Sequence, residues 1–438
     1  MKIACICNMN NMMFILCRYL RDAGYDAQLF TLSDEPAHFH PSADSYDDEY
    51  LTYYHPFPFS KSTIYKADSI NQLREKLGDF DFFIGSDIAP AILSIIGLKL
   101  DVFIPHGSDI YDFPFRKKRS KNTDPVWWQR EIGTLSQLQK VGIEEITTIL
   151  FPDEYDIHFP FKNKLDTKAN YINTSGPMVY IHQYQKLAEQ KKTIRLEHAA
   201  KFDQIRASKS LILFSHSRHN GFDLSGAQAI HDKGNDHLIK GFAAYLSNHD
   251  SSAHLILFEY GINVSASRSL IASLGITEHV SWMPLMDRKE IMYGLSQTDI
   301  ACGQFKNSWL TCGVVNESLA LDKPLLHLRD DRLYQADYST LYPILNAHTP
   351  AEIAEKIHAY QTNRDAFDEE AQSSSEWLYN HTVAIPLQII QKAVKKKRPS
   401  SRLLPDHVQM KVEHLLKKHA VLDKKNRLRG KVRSIFQR

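Results

Sequence analysis

Between Leu211 and Leu328, five short apolar runs are separated by four segments of helical period. Leu211-Ile212-Leu213-Phe214, His254–Glu259, His279–Trp282, Asp299–Cys302 and Pro324–Leu328 read as strands. Asp236–Leu246, Ser267–Leu274, Arg288–Leu295 and Val314–Leu321 read as the helices between them, and Gly275 and Asp322-Lys323-Pro324 supply stop signals. Strands that are apolar throughout and joined by helices belong to a parallel sheet covered on both faces.

The first half keeps the same rhythm less strictly. Lys2–Cys7, Ala27–Phe30, Asp81–Gly85, Val102–Pro105 and Glu145–Phe151 read as strands, with helices over Met12–Ala23 and Ala89–Leu98 and a turn at Gly24. The aromatic segment Phe39–Ser62 breaks the pattern and reads as a long loop, either acceptor-binding or plain surface. At 438 residues the chain exceeds one ordinary core, so the expected fold class is α/β with two sheets in tandem. The expected division is 1–177, a charged linker 178–210, a second sheet domain 211–364, helices 365–394 crossing back to the first domain, and a basic tail 395–438 holding a helix near Asp406–His419.

With 43% hydrophobic and 24% charged residues, the composition is globular and excludes wholesale disorder. The N-terminus lacks the apolar core and cleavage site of a secretory signal, and no window nears the run of about 18 apolar residues of a spanning helix. Cys5, Cys7, Cys17, Cys302 and Cys312 form a sparse, odd set, which points to core packing in a reducing, cytoplasmic compartment. Charge is uneven: Lys392–Arg438 carries 16 Lys/Arg against 3 Asp/Glu, local +13, leaving −11 for the rest of a chain of net +2. With apolar residues interspersed, that tail fits an anionic membrane surface at the inner face. Nucleic acid is not expected as a partner, because stacking aromatics are scarce in the tail. Arg116–Lys121 makes a smaller basic patch beside Trp127-Trp128, which read equally well as packing or as a lipid contact.

The chemistry-bearing residues lie where strands end. Arg218 and Lys233 bracket one strand–helix connection and suit a clamp on a diphosphate; Gly234 lets the backbone approach, with Asn235 or Asp236 capping the next helix. In Gly313-Val314-Val315-Asn316-Glu317, a glycine opens a helix whose amides suit phosphate, while Glu317 suits a ribose diol. The bland reading of Glu317 is a first-turn carboxylate favoured by the helix dipole. His216, His219, His231 and His237 match no metal-ligand spacing and read as solvated loop histidines.

The run Lys233-Gly234, Leu238-Ile239, Phe242, Gly261, Leu270-Ile271, Leu274-Gly275-Ile276, Val280, Asp299, Gly313, Glu317-Ser318-Leu319-Ala320 and Lys323-Pro324 resembles the donor domain of retaining GT-B glycosyltransferases. That large family includes sucrose synthase and bacterial mannosyltransferases. The resemblance implies two Rossmann-like domains facing a central cleft. It implies a nucleotide-sugar donor, a glycan or lipid-linked acceptor, and transfer in surface polysaccharide or glycolipid synthesis. Arg218 and Lys233 then hold the diphosphate and act in catalysis, Glu317 holds the ribose, and Pro284-Leu285 lies at the base. Gly313, Val314 and Val315 complete the donor side. His106-Gly107-Ser108-Asp109 resembles the acceptor-side motif of some members, whose histidine reaches the transferred sugar, and Asn10 and Asn11 lie in the place of a glycine-rich loop. No cofactor or metal is expected, since two cations would balance the leaving group and no Asp-x-Asp lies in a suitable loop.

Two departures stand out. Arg218 and Lys233 are about ten residues further apart than in that pattern, through Gly221–Ile230. Where the pattern has its first, sugar-contacting glutamate, this chain has Ser308 or Trp309. A catalytically silent GT-B scaffold and a GT-B-fold nucleotide-sugar epimerase are the alternative functions.

Overall fold

The structure, a computed structural model, describes residues 1–116, 128–152, 169–185, 187, 194, 196–221, 231–249, 252–397 and 402–436. The basic run 117–121, Trp127 and most of the insertion 222–230 lie outside the described residues, as do the side chains of Trp128 and of the tail from Lys425 onward. The chain forms two compact units. Unit 1 comprises Met1–Pro41, Asp47–Pro177 and Val383–Arg438; unit 2 comprises Ser42–Tyr46 and Met178–Thr382. The C-terminal passage from unit 2 to unit 1 falls within a π-helical turn, Asn380–Ala384.

Unit 1 is built on a seven-stranded sheet: β1 (Lys2–Ile6), β2 (Asp26–Thr31), β3 (Tyr54–Pro56), β4 (Phe82–Gly85), β5 (Val102–Phe103), β6 (Thr148–Leu150) and β7 (Asn170–Ile172). Their order is β3-β2-β1-β4-β5-β6-β7, with every pairing parallel. β1 is central because it is apolar on both faces: Ile3 faces Ala27 on one side and Phe82 on the other. The helix Met12–Asp22 buries Met12 through Cys17, then Tyr19 and Leu20, against this sheet and ends before Gly24, whose φ of 86° suits only glycine without strain.

The basic tail begins as part of this core rather than as an appendage. Leu404, just ahead of the helix, and Val408, Val412 and Leu415 on one of its faces are all buried in unit 1. The backbone joins at Lys99 N–H to Arg402 C=O and Leu404 N–H to Gly97 C=O, both 3.0 Å. The helix runs Asp406–Phe436, well past the expected His419.

Unit 2 holds a six-stranded parallel sheet: β8 (Ile212–Ser215), β9 (His254–Phe258), β10 (Val280–Met283), β11 (Ile300–Cys302), β12 (Leu325–His327) and β13 (Leu345–Asn346), in the order β10-β9-β8-β11-β12-β13. Apolar clusters cover both faces. One gathers Leu238, Phe242, Tyr245, Ile353 and Ile357, the other Phe202, Phe214, Met292, Leu295, Val315 and Trp377. The segment read as a linker, 178–210, belongs to this unit: Val179, Ile181, Tyr184, Leu187, Phe202 and Ile205 are all core residues. The long loop Phe39–Ser62 contributes β3 to one unit and Ser42–Tyr46 to the other. No helix among the described residues is long and apolar enough to cross a membrane.

Leu404 is 2% exposed, so Leu404→Ala should cost about 2–5 kcal/mol of stability. Denaturant unfolding checks this; a midpoint unchanged from the parent would return the tail to the status of an appendage.

Candidate functional site

In doubly wound sheets the ligand crevice opens at the carboxyl ends of the strands where the order reverses. Here those points are β1/β4 in unit 1 and β8/β11 in unit 2. The residues singled out in the sequence gather at the same ends.

In unit 2, β8 ends at Ser215 and delivers His216 to the switch point. His216 Nε2 lies 2.5 Å from Glu317 Oε2, and Arg288 Nε donates to Glu317 Oε1 at 2.8 Å. Arg288 Nη1 donates to Asp44 Oδ2 and to the Met178 carbonyl, each at 3.0 Å, while the Tyr184 hydroxyl donates to Asp44 Oδ1. Five side chains separated in sequence by up to 273 positions (from 44 to 317) thus share one buried network. Burial alone would raise the Glu317 carboxyl, but His216 and then Arg288 outweigh it, and the group is held below its usual value. An ionised carboxylate only accepts, so His216 donates from Nε2, while its Nδ1 is buried without a hydrogen-bond partner.

Glu317 lies beyond the first turn of the helix Gly313–Leu319 and is paired on both of its oxygens. It is a fixed anion whose remaining lone pairs are the ones open to a hydroxyl. His216, Arg288, Asp44 and Tyr184 were missed. His216 and His219, read as solvated, are not: His219 is fully buried, with Nδ1 2.7 Å from Ser267 Oγ, whereas His231 is exposed.

Lys233 and Arg218 come within electrostatic range of each other. Burial first, and Arg218's charge further down, lower the Lys233 ammonium. Lys233 Nζ donates to Gln304 Oε1 at 3.0 Å, and Gln304 Nε2 donates to Cys312 Sγ at 3.2 Å, which ties the lysine to the residue before the helix Gly313–Leu319. Arg218 is exposed, its guanidinium 5.9 Å from the Tyr260 ring centre. Gly234, not Asn235 or Asp236, is the cap residue of Asn235–Asn248. Its φ is 70°, and a Cβ there would lie 2.8 Å from Phe305 Cβ. Gly313 faces open space and Val314 is half-buried, but the Val315 side chain packs in the core. Pro284 and Leu285 are exposed just beyond β10, on the loop that leads into Arg288. Of the two residues read at the place of the first glutamate, Ser308 Oγ accepts from the Asp330 amide at 2.9 Å and Trp309 is buried.

In unit 1, His106 follows β5 and Asp87 follows β4. Asp109 is committed to the backbone: its carboxylate accepts from the amides of His106 (2.9 Å), Gly107 (3.0 Å) and Asp87 (3.0 Å). Burial, then Asp87, push it up to about 7 against those amides. Ser108 and Asn10 are exposed. Asn11 is buried, and its Nδ2 donates to the His38 carbonyl at 3.0 Å. The ion pair Lys61 Nζ–Asp87 Oδ2, 2.5 Å, lies beside His106 and was not read from the sequence. Among the described residues no group of side chains is arranged to hold a metal.

No family model matches this sequence, and no curated protein matches it either. Solved structures do match in fold. HepE of Anabaena, in complex with UDP-glucose, aligns with a TM-score of 0.54 at 14% identity over 90% of this chain and 100% of that one. A glycosyltransferase from Rickettsia africae aligns at 0.55 and 12% identity over 90% of this chain and 99% of its own. Sucrose-phosphate synthase from Thermosynechococcus elongatus aligns at 0.53 and 11% over 90% and 98%. The chain has the GT-B fold that these proteins share.

Arg288 holds two nearly buried carboxylates, its side chain 13% exposed against 1% for Asp44 and 8% for Glu317. Arg288→Ala should cost about 3–5 kcal/mol by stranding both. Because the folded Glu317 value is depressed, its stabilisation is complete above the unfolded value of 4.5 and is lost as pH falls below it. Urea midpoints measured from pH 7 to pH 3 should fall for the parent more steeply than for Glu317→Gln; parallel curves would dissociate Glu317 from the ion pair.

Proposed function

We propose that this chain is a glycosyltransferase moving a sugar from a nucleotide-sugar to a glycan or lipid-linked acceptor in surface polysaccharide or glycolipid synthesis. The observation that carries the reading is the convergence, at the unit 2 switch point of a GT-B fold, of Lys233, Arg218 and the opening of the helix Gly313–Leu319 beside a fixed Glu317. HepE, of the same fold, is solved with UDP-glucose, which supports a donor of that class.

In this reading Arg218 and Lys233 hold the diphosphate, and Glu317 accepts from the ribose with the lone pairs that Arg288 and His216 leave. The Pro284-Leu285 loop meets the base. As the glycosidic bond breaks, negative charge collects on the leaving diphosphate, and the two cations stabilise it. Their charge suffices without a metal. Retention of configuration rests on the sequence resemblance: the acceptor hydroxyl attacks from the leaving-group face, with the phosphate as base. By the sequence resemblance, His106 takes the acceptor-side role of the histidine that reaches the transferred sugar.

The test is nucleoside diphosphate release from a panel of nucleotide-sugars. One donor should be hydrolysed slowly and turned over faster with its acceptor, at a rate unchanged by a chelator. Lys233→Ala should lower kcat by about 10²-fold or more. Binding of a nucleotide with no turnover of any donor would leave a silent scaffold instead. The acidic and histidine residues gathered in unit 1 are the feature that favours the epimerase reading; conversion of one nucleotide-sugar into its epimer without acceptor would select it.

The tail Lys392–Arg438 is proposed to hold the enzyme against an anionic membrane. Since Leu404–Leu415 belong to a core, the informative truncation ends the chain after Val421, removing seven Lys/Arg and one Asp. The parent should sediment with phosphatidylserine vesicles at low salt and be released at high salt. A truncated chain that sediments as well as the parent would refute the membrane role.

A further inference from the structure

Of the five side chains in the Glu317 network, Asp44 is the one whose presence the donor reading leaves unexplained. It arrives on a five-residue stretch, Ser42–Tyr46, that belongs to unit 2 while Pro41 and Asp47 on either side belong to unit 1. Gln183 Nε2 donates to the Asp44 carbonyl at 2.9 Å, and the Tyr46 hydroxyl donates to the Lys289 carbonyl at 2.8 Å. The Tyr46 ring also meets the Tyr184 ring edge-on, with centres 5.9 Å apart. None of those contacts needs a charge. Asp44 nevertheless brings a carboxylate whose side chain is 1% exposed, a placement that costs free energy unless a charged partner answers it.

That partner is Arg288, whose guanidinium is shared out nitrogen by nitrogen. Nε donates to Glu317 Oε1, Nη1 donates to Asp44 Oδ2 and to the Met178 carbonyl, and Nη2 has no hydrogen-bond partner among the described residues. The Tyr184 hydroxyl fixes Asp44 in turn through Oδ1. A guanidinium is planar, so holding Nη1 fixes the directions of Nε and Nη2 as well. Asp44 is too deeply buried to meet a ligand, whereas Arg288 and Glu317 both keep some accessible surface. Side by side they offer a carboxylate acceptor and a guanidinium donor. A vicinal diol satisfies both, since each of its hydroxyls donates and accepts. Without the charge of Asp44, Glu317 becomes the one carboxylate on Arg288 among the described residues. The guanidinium is then drawn into a two-pronged pair with it, which occupies the lone pairs a diol needs.

We propose that Asp44 is a positioning residue of the donor site: by holding Nη1 it keeps Arg288 from closing on Glu317, so that the two stay open to the ribose diol of the nucleotide. The inference rests on the reading of Glu317 as the ribose anchor. Its consequence is narrow. The preference of this chain for ribose over a sugar lacking those hydroxyls depends on a residue near the start of the sequence that touches no part of the nucleotide. Binding of the base and the diphosphate does not depend on it.

The experiment titrates the full chain with the 5′-diphosphates of uridine, guanosine and adenosine, and with the 2′,3′-dideoxy form of each, by isothermal calorimetry. The parent should bind at least one ribonucleotide about tenfold or more tighter than its dideoxy form, the scale of a hydrogen bond to a charged group. Glu317→Gln should bring the two affinities within about threefold of each other. Asp44→Asn, which keeps the shape and removes the charge, should do the same while leaving the dideoxy affinity at its parental value. Lys233→Ala should weaken both forms alike and keep their ratio. If Asp44→Asn does not fold, Tyr184→Phe takes its place: it deletes only the hydroxyl that orients Asp44, and the ratio should fall about twofold or more. Either variant, at a parental melting temperature, overturns the inference by keeping the parental ratio or by losing affinity for both forms alike. If Glu317→Gln abolishes the preference in that case, the ribose reading stands. A parent without preference, or a Glu317→Gln protein that retains it, removes the ribose reading and this inference together.

Discussion

A parallel sheet whose strand order reverses once must send its connections to opposite faces on either side of the reversal, and no crossover helix covers the gap between them. Both sheets of this chain obey that constraint, at β1/β4 and at β8/β11. Polar groups that would be costly anywhere else in a core collect at those two gaps. In unit 2, Ser217 Oγ bridges the reversal by donating to the Gly303 carbonyl at 3.1 Å, and Gln304 carries the connection on to Lys233 and Cys312. In unit 1, Asn8 Oδ1 accepts from the Phe14 amide at 2.8 Å and fixes the start of the first helix.

The two gaps are resolved with opposite electrostatics. In unit 2 every charge of the network has a partner: burial opposes ionisation of Glu317 and of Arg288, and in both cases the neighbouring charges prevail. A paired network of this kind fixes geometry more than it adds stability, because the desolvation of its members offsets much of the attraction. In unit 1 the balance tips the other way. Burial prevails over Lys61 at Glu35, and over Asp87 at His106, so both side chains are neutral. One gap keeps its buried groups charged and paired, while at the other burial leaves Glu35 and His106 neutral beside the Lys61–Asp87 pair.

How far this was legible in the sequence follows from the range over which each signal acts. β1, β8, β9 and β12 are short apolar runs flanked by helices, so local pattern alone located them. β3, β7 and β13 have two or three residues at or near sheet edges, including Tyr54-His55-Pro56, and carry no pattern at all. The segment 178–210 looked like a linker because its charged residues outnumber its anchors. Those anchors, such as Tyr184 and Phe202, are nonetheless buried. At the site, Lys233-Gly234 and Gly313–Glu317 were readable as strand-to-helix junctions. The pairing of Glu317 with His216, 101 residues away, and the arrival of Asp44 from the first third of the chain were not, since nothing local distinguishes those residues from solvated ones.

The loop after β1 shows how a departure from a familiar pattern is itself informative. Where glycines would leave amides free to cradle a phosphate, this chain has Cys7, Asn10 and Asn11, all at positive φ (64°, 52° and 60°), with Asp87 across the gap at 50°. Each such residue costs of order 1 kcal/mol or more unless its surroundings hold it there. Asparagine and aspartate tolerate the left-handed region better than most residues, and the side chains complete the restraint. Asn8 Nδ2 donates to Asn11 Oδ1 at 2.9 Å and to the Phe39 carbonyl, Asn11 Nδ2 donates to the His38 carbonyl, and the Asp87 amide donates to Asp109. The loop thus spends its polar side chains on itself. A loop closed in this way holds Cys7 and Asp87 at the mouth of the gap and offers no cation to an anion.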